Sequence, residues 1–262
     1  MVGMFSLLIP IMSSRWLVQI SQKSDLDSAA NLDMQMNEIL AFLRELTANN
    51  NRDWFNENKE TYQEVKRMVD SITQDLINRI SKFEPQAAML SVSDCTYRIY
   101  RDVRFSTDKS PYKTHIGIFI NPPFGKKSLR SGFYLHLEPN ESAVYIGTYC
   151  LPSKYLAAIR RDIFENVDEY LEIIENPEFK NIFPTVGENP LKTAPKGFPK
   201  DWKHISLLKP RDYAVKHSLS DRELNSPKAL DKIVDMFRIS KPFNDFINFA
   251  IDEVGNDADV HN

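Results

Sequence analysis

Residues Thr114 to Thr148 read THIGIFINPPFGKKSLRSGFYLHLEPNESAVYIGT, and this stretch decides the fold. Three runs in it alternate in the way expected of strands that bury one face. They are Thr114–Ile120, Phe133–Glu138 and Ala143–Thr148. Because the connections between them are short and contain no helix, the stretch predicts an antiparallel β-meander. The predicted fold class is therefore α+β.

The segment before the meander, Tyr97–His115, reads YRIYRDVRFSTDKSPYKTH. Its β-branched, aromatic and long side chains predict a strand over Arg98–Phe105, ended by the turn at Asp108–Pro111. Alternation predicts two faces for this strand. One face carries Arg98, Tyr100, Asp102 and Arg104; the other, directed at the core, carries Ile99, Arg101, Val103 and Phe105. A guanidinium on a buried face needs a carboxylate or similar acceptors, so we expect a partner for Arg101.

Positive charge is concentrated in the same segment. From Arg98 to Lys113 there are five cations and two anions, a local net of +3, whereas the whole chain carries −3. A positive region on an acidic chain favours a specific anion site, and arginine suits phosphate or carboxylate. The candidate ligand-binding residues are Arg98, Tyr100, Arg101, Arg104, Lys109, Tyr112, Lys113 and Tyr134. The alternative interpretation is a solvated ladder of cross-strand ion pairs.

Two residues are candidates for proton transfer, Asp102 and His136. His136 shares its predicted strand face with Tyr134 and Glu138. His136 and Glu138 could supply two metal ligands, with His115 as the third nearby candidate. An ordinary hydrogen-bonded strand histidine is the favoured interpretation. We therefore predict neither a metal site nor a cofactor.

The residues leave two classes of function open. The first is a binding module for a small ligand that carries phosphate or carboxylate, with single-stranded nucleic acid as a second candidate partner. The alternative is a hydrolase or phosphoryl-group enzyme that uses the same residues. The sequence contains no Walker loop, no dinucleotide-binding fingerprint and no Gly-x-Ser-x-Gly elbow. Two cysteines are too few for a disulfide framework, no stretch is long enough for a membrane span, and the oligomeric state stays open.

The rest of the chain predicts helices around the meander. Helical spacing of apolar residues predicts a helix over Met36–Thr47 and a long N-terminal helix over Asp53–Phe83. A last strand is predicted at Tyr213–Leu219, and C-terminal helices follow near Lys228–Arg238 and Pro242–Val254. These elements predict an antiparallel meander packed against the long N-terminal helix and the C-terminal helices in a single domain.

The predicted domain covers residues 36–254, and a polar tail follows over 255–262. Residues 1–35 do not share its pattern. They are interpreted as a disordered extension or as the result of a mis-set start, with Met34 or Met36 as alternatives to Met1.

Several motifs together resemble one known family. The run RIYRDVRFSTDKSPYKTH is followed by SGFYLHLEP, and FLRELTANNNRDWF, LPSKYLAAIR, PKGF and LLKPRDYAVKH lie on either side. In this combination the chain is similar to the domain of unknown function 2461 family over roughly Met36–Val254. The resemblance implies a bacterial cytoplasmic protein and gives boundaries to the domain. It implies no particular reaction.

Overall fold

Four antiparallel strands form the sheet at the centre of the protein. The structure is a computed structural model that describes residues 35–260, with only the backbone described for 255–260. The strands are β1 (Ile116–Ile120), β2 (Gly132–Leu137), β3 (Ala143–Gly147) and β4 (Ala214–Ser218). Their order in the sheet is β1-β2-β3-β4, with each neighbouring pair antiparallel. The predicted α+β class, the meander and the last strand are confirmed.

The register divides the sheet into a core face and an open face. Ile118 pairs with Leu135, and Leu135 pairs with Val144, so one row of fully buried side chains crosses three strands. On the opposite face, Phe119 pairs with Tyr134 and Tyr134 pairs with Tyr145. These aromatic rings are only half-buried. The alternation of the sequence thus assigns each residue to its face, as a two-residue period requires.

Ten α-helices surround this sheet within residues 35–260. The first, α1, spans residues 35–48. The others are α2 (Arg52–Glu57), α3 (Lys59–Ile80), α4 (Val92–Cys95), α5 (Ser153–Glu165), α6 (Val167–Ile174), α7 (Pro177–Ile182), α8 (Asp221–Leu224), α9 (Ala229–Ile239) and α10 (Lys241–Val260). Their apolar faces join the core face of the sheet in one buried cluster. The prediction that the meander packs against helices from both ends of the chain is confirmed.

The long N-terminal helix predicted over Asp53–Phe83 consists of two helices, α2 and α3. The Asn51 side chain caps α2 by accepting a hydrogen bond from the Trp54 backbone. At Asn58 both the backbone N–H and the side-chain amide donate to the Trp54 carbonyl oxygen, and α2 ends there. An asparagine side chain that satisfies a terminal carbonyl offers the backbone an alternative to the next helical turn. The α3 helix then begins at Lys59.

The predicted ends of the chain lie partly outside this description. Residues 1–34, which make up nearly all of the predicted extension, lie outside the described residues. At the other end, α10 runs to Val260 and so continues past Val254, where the sequence predicted its end.

The strand predicted over Arg98–Phe105 is wrong. The segment is an irregular hairpin, joined by one bridge between Tyr100 and Tyr112 and by two hydrogen bonds, from Arg101 N to the Pro111 oxygen and from Lys113 N to the Ile99 oxygen. Ile99 is buried as predicted, but Phe105 is 97% exposed and does not face the core. The reason is a local hydrogen bond. The Arg104 backbone N–H donates to the Asp102 side chain and is therefore not available for the β-ladder expected there.

Both outer strands of the sheet carry a short additional pairing. Thr96 bridges Ile118 on the free side of β1, and Val186 bridges Val215 on the free side of β4. A hydrogen bond from Gly187 N to the Ala214 oxygen supports the second bridge. Neither outer strand is therefore fully unpaired along its edge.

The two cysteines differ in burial, and we expect them to differ in reactivity. Cys95 has no exposed surface, and burial raises the pKa of its thiol to about 12. Cys150 is exposed, and both cysteines are free. Since the thiolate is the reactive form, we expect Ellman's reagent to modify one thiol in the folded chain and both thiols in guanidinium. Cys150→Ser should remove the fast reaction, and two equally fast thiols in the folded protein would contradict this assignment.

Candidate functional site

A cleft of about 1260 Å³ lies over the open face of the sheet. Its floor comes from strands β1 to β4, and its walls come from α3, α4 and the segment 96–100. The volume is sufficient for a nucleotide-sized ligand. Five cations and two anions line the cleft, a net of +3 with the histidines neutral. They are Lys66, Arg98, Lys113, Lys126 and Arg130, with Asp70 and Glu188.

Three of these cations form no ion pair within the described residues. Lys66 pairs with Asp70 and Arg130 pairs with Asp252, whereas Arg98, Lys113 and Lys126 form no ion pair among residues 35–254. We call these three residues the cationic cluster.

Tyr97 lies beside two members of the cationic cluster. The Nζ atoms of Lys113 and Lys126 lie 5.4 Å and 5.7 Å from the centre of its ring, within the range of cation–π attraction. Lys126 also donates to the carbonyl oxygens of Ser93 and Thr96, at 2.5 Å and 2.6 Å, which fixes its ammonium group at the cleft wall. Burial, with a smaller contribution from the neighbouring charge of Arg98, lowers the pKa of Lys113.

The structure brings together five of the residues selected from the sequence. Arg98, Tyr100, Lys113, Tyr134 and His136 all line the cleft. Their convergence follows from the antiparallel hairpin and from the alternation of β2, which directs Tyr134 and His136 to the open face.

The other selected residues lie outside the lining of the cleft. Arg101 has the expected carboxylate partner, since it forms an ion pair with Asp108. Arg104 binds Asp102 through two nitrogens, with Nε 2.9 Å from Oδ1 and Nη2 2.6 Å from Oδ2. Both arginines are thus in ion pairs, but the pairs lie within one irregular segment and do not form the cross-strand ladder of the alternative interpretation. Lys109 donates to the Val103 carbonyl oxygen, and Tyr112 is buried with its ring stacked on Phe55 at 3.9 Å.

Asp102 is poorly placed to act as a base. Hydrogen bonds from Arg104 lower the pKa of Asp102, and its carboxylate lies beside the Arg104 guanidinium rather than in the cleft. A carboxylate held in its charged form by a guanidinium is a weak proton acceptor. Of the two proton-transfer candidates, only His136 lines the cleft.

A chain of hydrogen bonds runs along β2 from the cleft floor to Glu138, which directly follows the strand. The Tyr134 hydroxyl lies 3.2 Å from His136 Nδ1, and His136 Nε2 lies 2.9 Å from Glu138 Oε2. Thr114 Oγ1 donates to the other carboxylate oxygen at 2.7 Å. The ring of His115 lies 4.6 Å from that of His136, centre to centre. Burial raises the pKa of the Tyr134 phenol and lowers the pKa of His115.

Gly117 makes room for the Tyr134 ring on the cleft floor. A Cβ atom at position 117 would overlap the Tyr134 hydroxyl and would lie 2.7 Å from its Cε2. The ring therefore lies directly across the backbone of β1. Any larger residue at position 117 would displace Tyr134 and, with it, the hydrogen bond to His136.

Among the cleft residues that the sequence did not select are Tyr97, Lys126 and Tyr145. Lys126 belongs to the long turn between β1 and β2, where a lysine is an ordinary solvated residue. Tyr145 pairs with Tyr134 across β2 and β3, a relation that appears only when the strand register is known. Tyr97 lies next to Arg98 in the sequence, but its contact with the two lysines appears only in the structure.

Comparison with known proteins identifies a family for this chain. No curated protein and no solved structure shows significant similarity to it. Among the described residues, no helix has the length and apolar character needed to cross a bilayer. Residues 38–246, which include every strand that the structure describes and the whole cleft lining, match the family described as "Conserved hypothetical protein (DUF2461)". The chain therefore belongs to the conserved hypothetical protein family DUF2461.

Proposed function

We propose that the protein binds a small ligand that carries a phosphate or carboxylate group, with the cationic cluster as the anion site. The observation that carries this proposal is the convergence of Arg98, Lys113 and Lys126 on one cleft without an ion pair among the described residues. Like charges held together in a partly buried cleft repel one another. A bound anion removes that repulsion.

The contrast with the other arginines supports the same site. Arg101 and Arg104 are each neutralised by an aspartate of their own segment. They have no free charge to offer a ligand, so the ligand contacts are expected from the cluster and not from these two residues. The anion site is thus smaller than the whole cationic segment and lies nearer to α4.

The aromatic residues of the cleft suggest what else the ligand carries. Tyr97, Tyr100, Tyr134 and Tyr145 all line the cleft beside the cationic cluster. Aromatic side chains provide stacking surfaces for a base or another flat ring. A ligand with an anionic group and a ring, such as a mononucleotide, matches both features.

A small anion fits this cleft better than a long single-stranded nucleic acid. The chain carries a net charge of −3, so its surface as a whole does not favour a polyanion. Binding of single-stranded nucleic acid would weaken steeply as salt is added, because several counterions are released. A shallow dependence on salt is expected for a ligand with one anionic group.

Arg98→Ala is expected to weaken ligand binding by about 10- to 100-fold, because a charge-assisted hydrogen bond contributes roughly 1.5–3 kcal/mol. The probes are inorganic phosphate, adenosine monophosphate and citrate, measured by thermal shift and by calorimetry. At least one probe should raise the melting temperature of the unaltered protein by mass action. Lys113→Ala should weaken the same probe.

Arg104→Ala is the matched control, because its guanidinium is paired with Asp102 outside the cleft lining. It should bind the probe as tightly as the unaltered protein. The proposal fails if none of the three probes stabilises the protein, or if Arg104→Ala weakens binding as much as Arg98→Ala does.

A hydrolase or phosphoryl-group enzyme is the second candidate, favoured by the His136–Glu138 contact on the cleft floor. In that role His136 would act as the general base on an anion held by the cluster. Hydrolysis of p-nitrophenyl phosphate that is lost in His136→Gln, with phosphate affinity retained, would favour the enzyme over the binding module. A cytoplasmic location, which the family resemblance implies, stays a prediction.

A further inference from the structure

We propose that His115, His136 and Glu138 bind one divalent transition-metal ion on the floor of the cleft. One ligand atom from each residue lies within 4.8 Å of the other two, and all three side chains are half-buried. The sequence favoured an ordinary hydrogen-bonded histidine at position 136. The strand register adds the third residue that the sequence left uncertain.

The antiparallel pairing of β1 with β2 brings the three residues together. Gly117 pairs with His136, and Ile116 pairs with Leu137. Continuing the register by one position sets His115 opposite Glu138. Because side chains alternate along each strand, all three lie on the open face.

The distances fit a metal ion after a small adjustment. Zinc binds nitrogen and oxygen ligands at about 2.0–2.1 Å, so the ligand atoms of a tetrahedral site lie roughly 3.3 Å apart. His136 Nε2 and Glu138 Oε2 are already 2.9 Å apart. The remaining separations of at most 4.8 Å close by rotation of the half-buried His115 and Glu138 side chains.

Neighbouring groups already hold two of the ligands in the orientation that a metal ion requires. Tyr134 occupies the Nδ1 side of His136, which leaves Nε2 directed at Glu138. Thr114 occupies one oxygen of Glu138 and leaves the other directed at His136. Metal-bound histidines and carboxylates characteristically have such partners on their remaining polar atoms. With a metal ion bound through Nε2, His136 would donate its Nδ1–H to the Tyr134 oxygen.

The donor set selects the kind of metal. Two imidazoles and one carboxylate suit zinc, iron, nickel or copper, whereas calcium and magnesium prefer oxygen ligands alone. Three protein ligands also leave a coordination position open. Since His115 and His136 line the cleft, that position faces the space where a ligand enters. Lys113 is the nearby cation that opposes a bound dication, and Glu138 supplies compensating negative charge.

The test uses the full chain, stripped with EDTA and then titrated with zinc or cobalt. We expect one zinc ion per chain by calorimetry, and a visible cobalt spectrum of the tetrahedral type. His115→Ala, His136→Ala and Glu138→Gln should each weaken zinc binding by at least about tenfold. Thr114→Val, which removes only a partner of Glu138, should weaken it by about 10-fold or more while leaving the spectrum tetrahedral.

His204→Ala is the matched control, because His204 lies outside the three-residue group. It should bind zinc like the unaltered protein, and circular dichroism should show that every variant is folded. The inference is overturned if zinc binds the unaltered protein no more tightly than His136→Ala, or if the cobalt spectrum is the same in both.

The metal site and the anion site share no ligand residue, although Lys113 of the cationic cluster lies near both. Arg98→Ala should therefore keep its affinity for zinc, whereas Thr114→Val, which lies outside the cleft lining, should keep its affinity for the anionic probe in the absence of metal. If the unaltered protein binds zinc but not the anionic probe, the anion-site proposal fails. If it binds the probe but not zinc, the metal-site proposal fails.

Discussion

Gly147→Ala should lower the free energy of unfolding by about 3 kcal/mol or more, one of the two largest effects we expect. Gly147 has φ of 137°, a backbone conformation that costs other residues about 1–3 kcal/mol. Its added Cβ would also overlap the Tyr213 carbonyl oxygen and the Ala214 Cα atom on β4. Backbone atoms cannot move aside as a flexible side chain does, so forced overlap adds roughly 1–3 kcal/mol. Urea unfolding followed by circular dichroism measures the change.

Gly197→Ala separates the two contributions. Gly197 has φ of 95°, but nothing lies within 4 Å of a Cβ atom built there. It should therefore show the conformational cost without the overlap and destabilise the protein less than Gly147→Ala. Equal effects at the two positions would mean that β4 does not pack against Gly147 as described.

Phe133→Ala should lower the free energy of unfolding by about 3–5 kcal/mol, the range for removing a buried phenylalanine from a core. Phe133 is 2% exposed on the core face of β2. Its ring contacts Phe83 at 6.0 Å and Phe237 at 5.2 Å between ring centres. Phe83 lies in the turn after α3 and Phe237 lies in α9, so the cavity would loosen the contacts of the sheet with both segments. Chemical denaturation provides the measurement.

Phe105→Ala is the control with the same chemical change. Phe105 is 97% exposed, and surface substitutions usually change stability by less than about 0.5 kcal/mol. The sequence had predicted this residue for the core. A loss of stability at Phe105 as large as that at Phe133 would favour the original strand prediction over the hairpin.

The sheet could be predicted because its pattern is local and repeated. Each strand of the meander alternates over five or six residues, and a two-residue period has only one arrangement that buries Ile118, Leu135 and Val144 together. Short connections then leave only antiparallel pairing. The burial of apolar residues on one face of the sheet therefore made it possible to predict both the α+β class and the face on which each strand residue lies.

The strand prediction for residues 98–105 was wrong because side chains in this segment form hydrogen bonds and ion pairs with one another and with the nearby backbone. Asp102 binds the Arg104 backbone and side chain, and Asp108 binds Arg101 and the Ser110 backbone. Residue preferences for strands describe average packing and do not include such bonds. The same bonds pair Arg101 and Arg104 with aspartates, and both arginines lie outside the lining of the cleft.

The candidate site could not be predicted in full because several of its residues are far apart in the sequence and meet only in the fold. Lys126 and Lys113 meet over Tyr97, but the turn between β1 and β2 had to be placed before this could be seen. His115 and Glu138 lie 23 positions apart and become neighbours only through strand pairing. Sequence spacing relates residues two positions apart, such as His136 and Glu138, whereas the position of His115 beside them follows only from the pairing of β1 with β2.

The single-residue bridges at Thr96 and Val186 have a consequence for how the protein behaves when concentrated. An uncovered outer strand is a template to which a second molecule can add, and such addition leads to aggregates. Here an incoming strand would first have to break the bridges to Ile118 and Val215. The segments around Thr96 and Val186 thus protect both edges of the sheet from strand addition, although the sheet is not closed into a barrel.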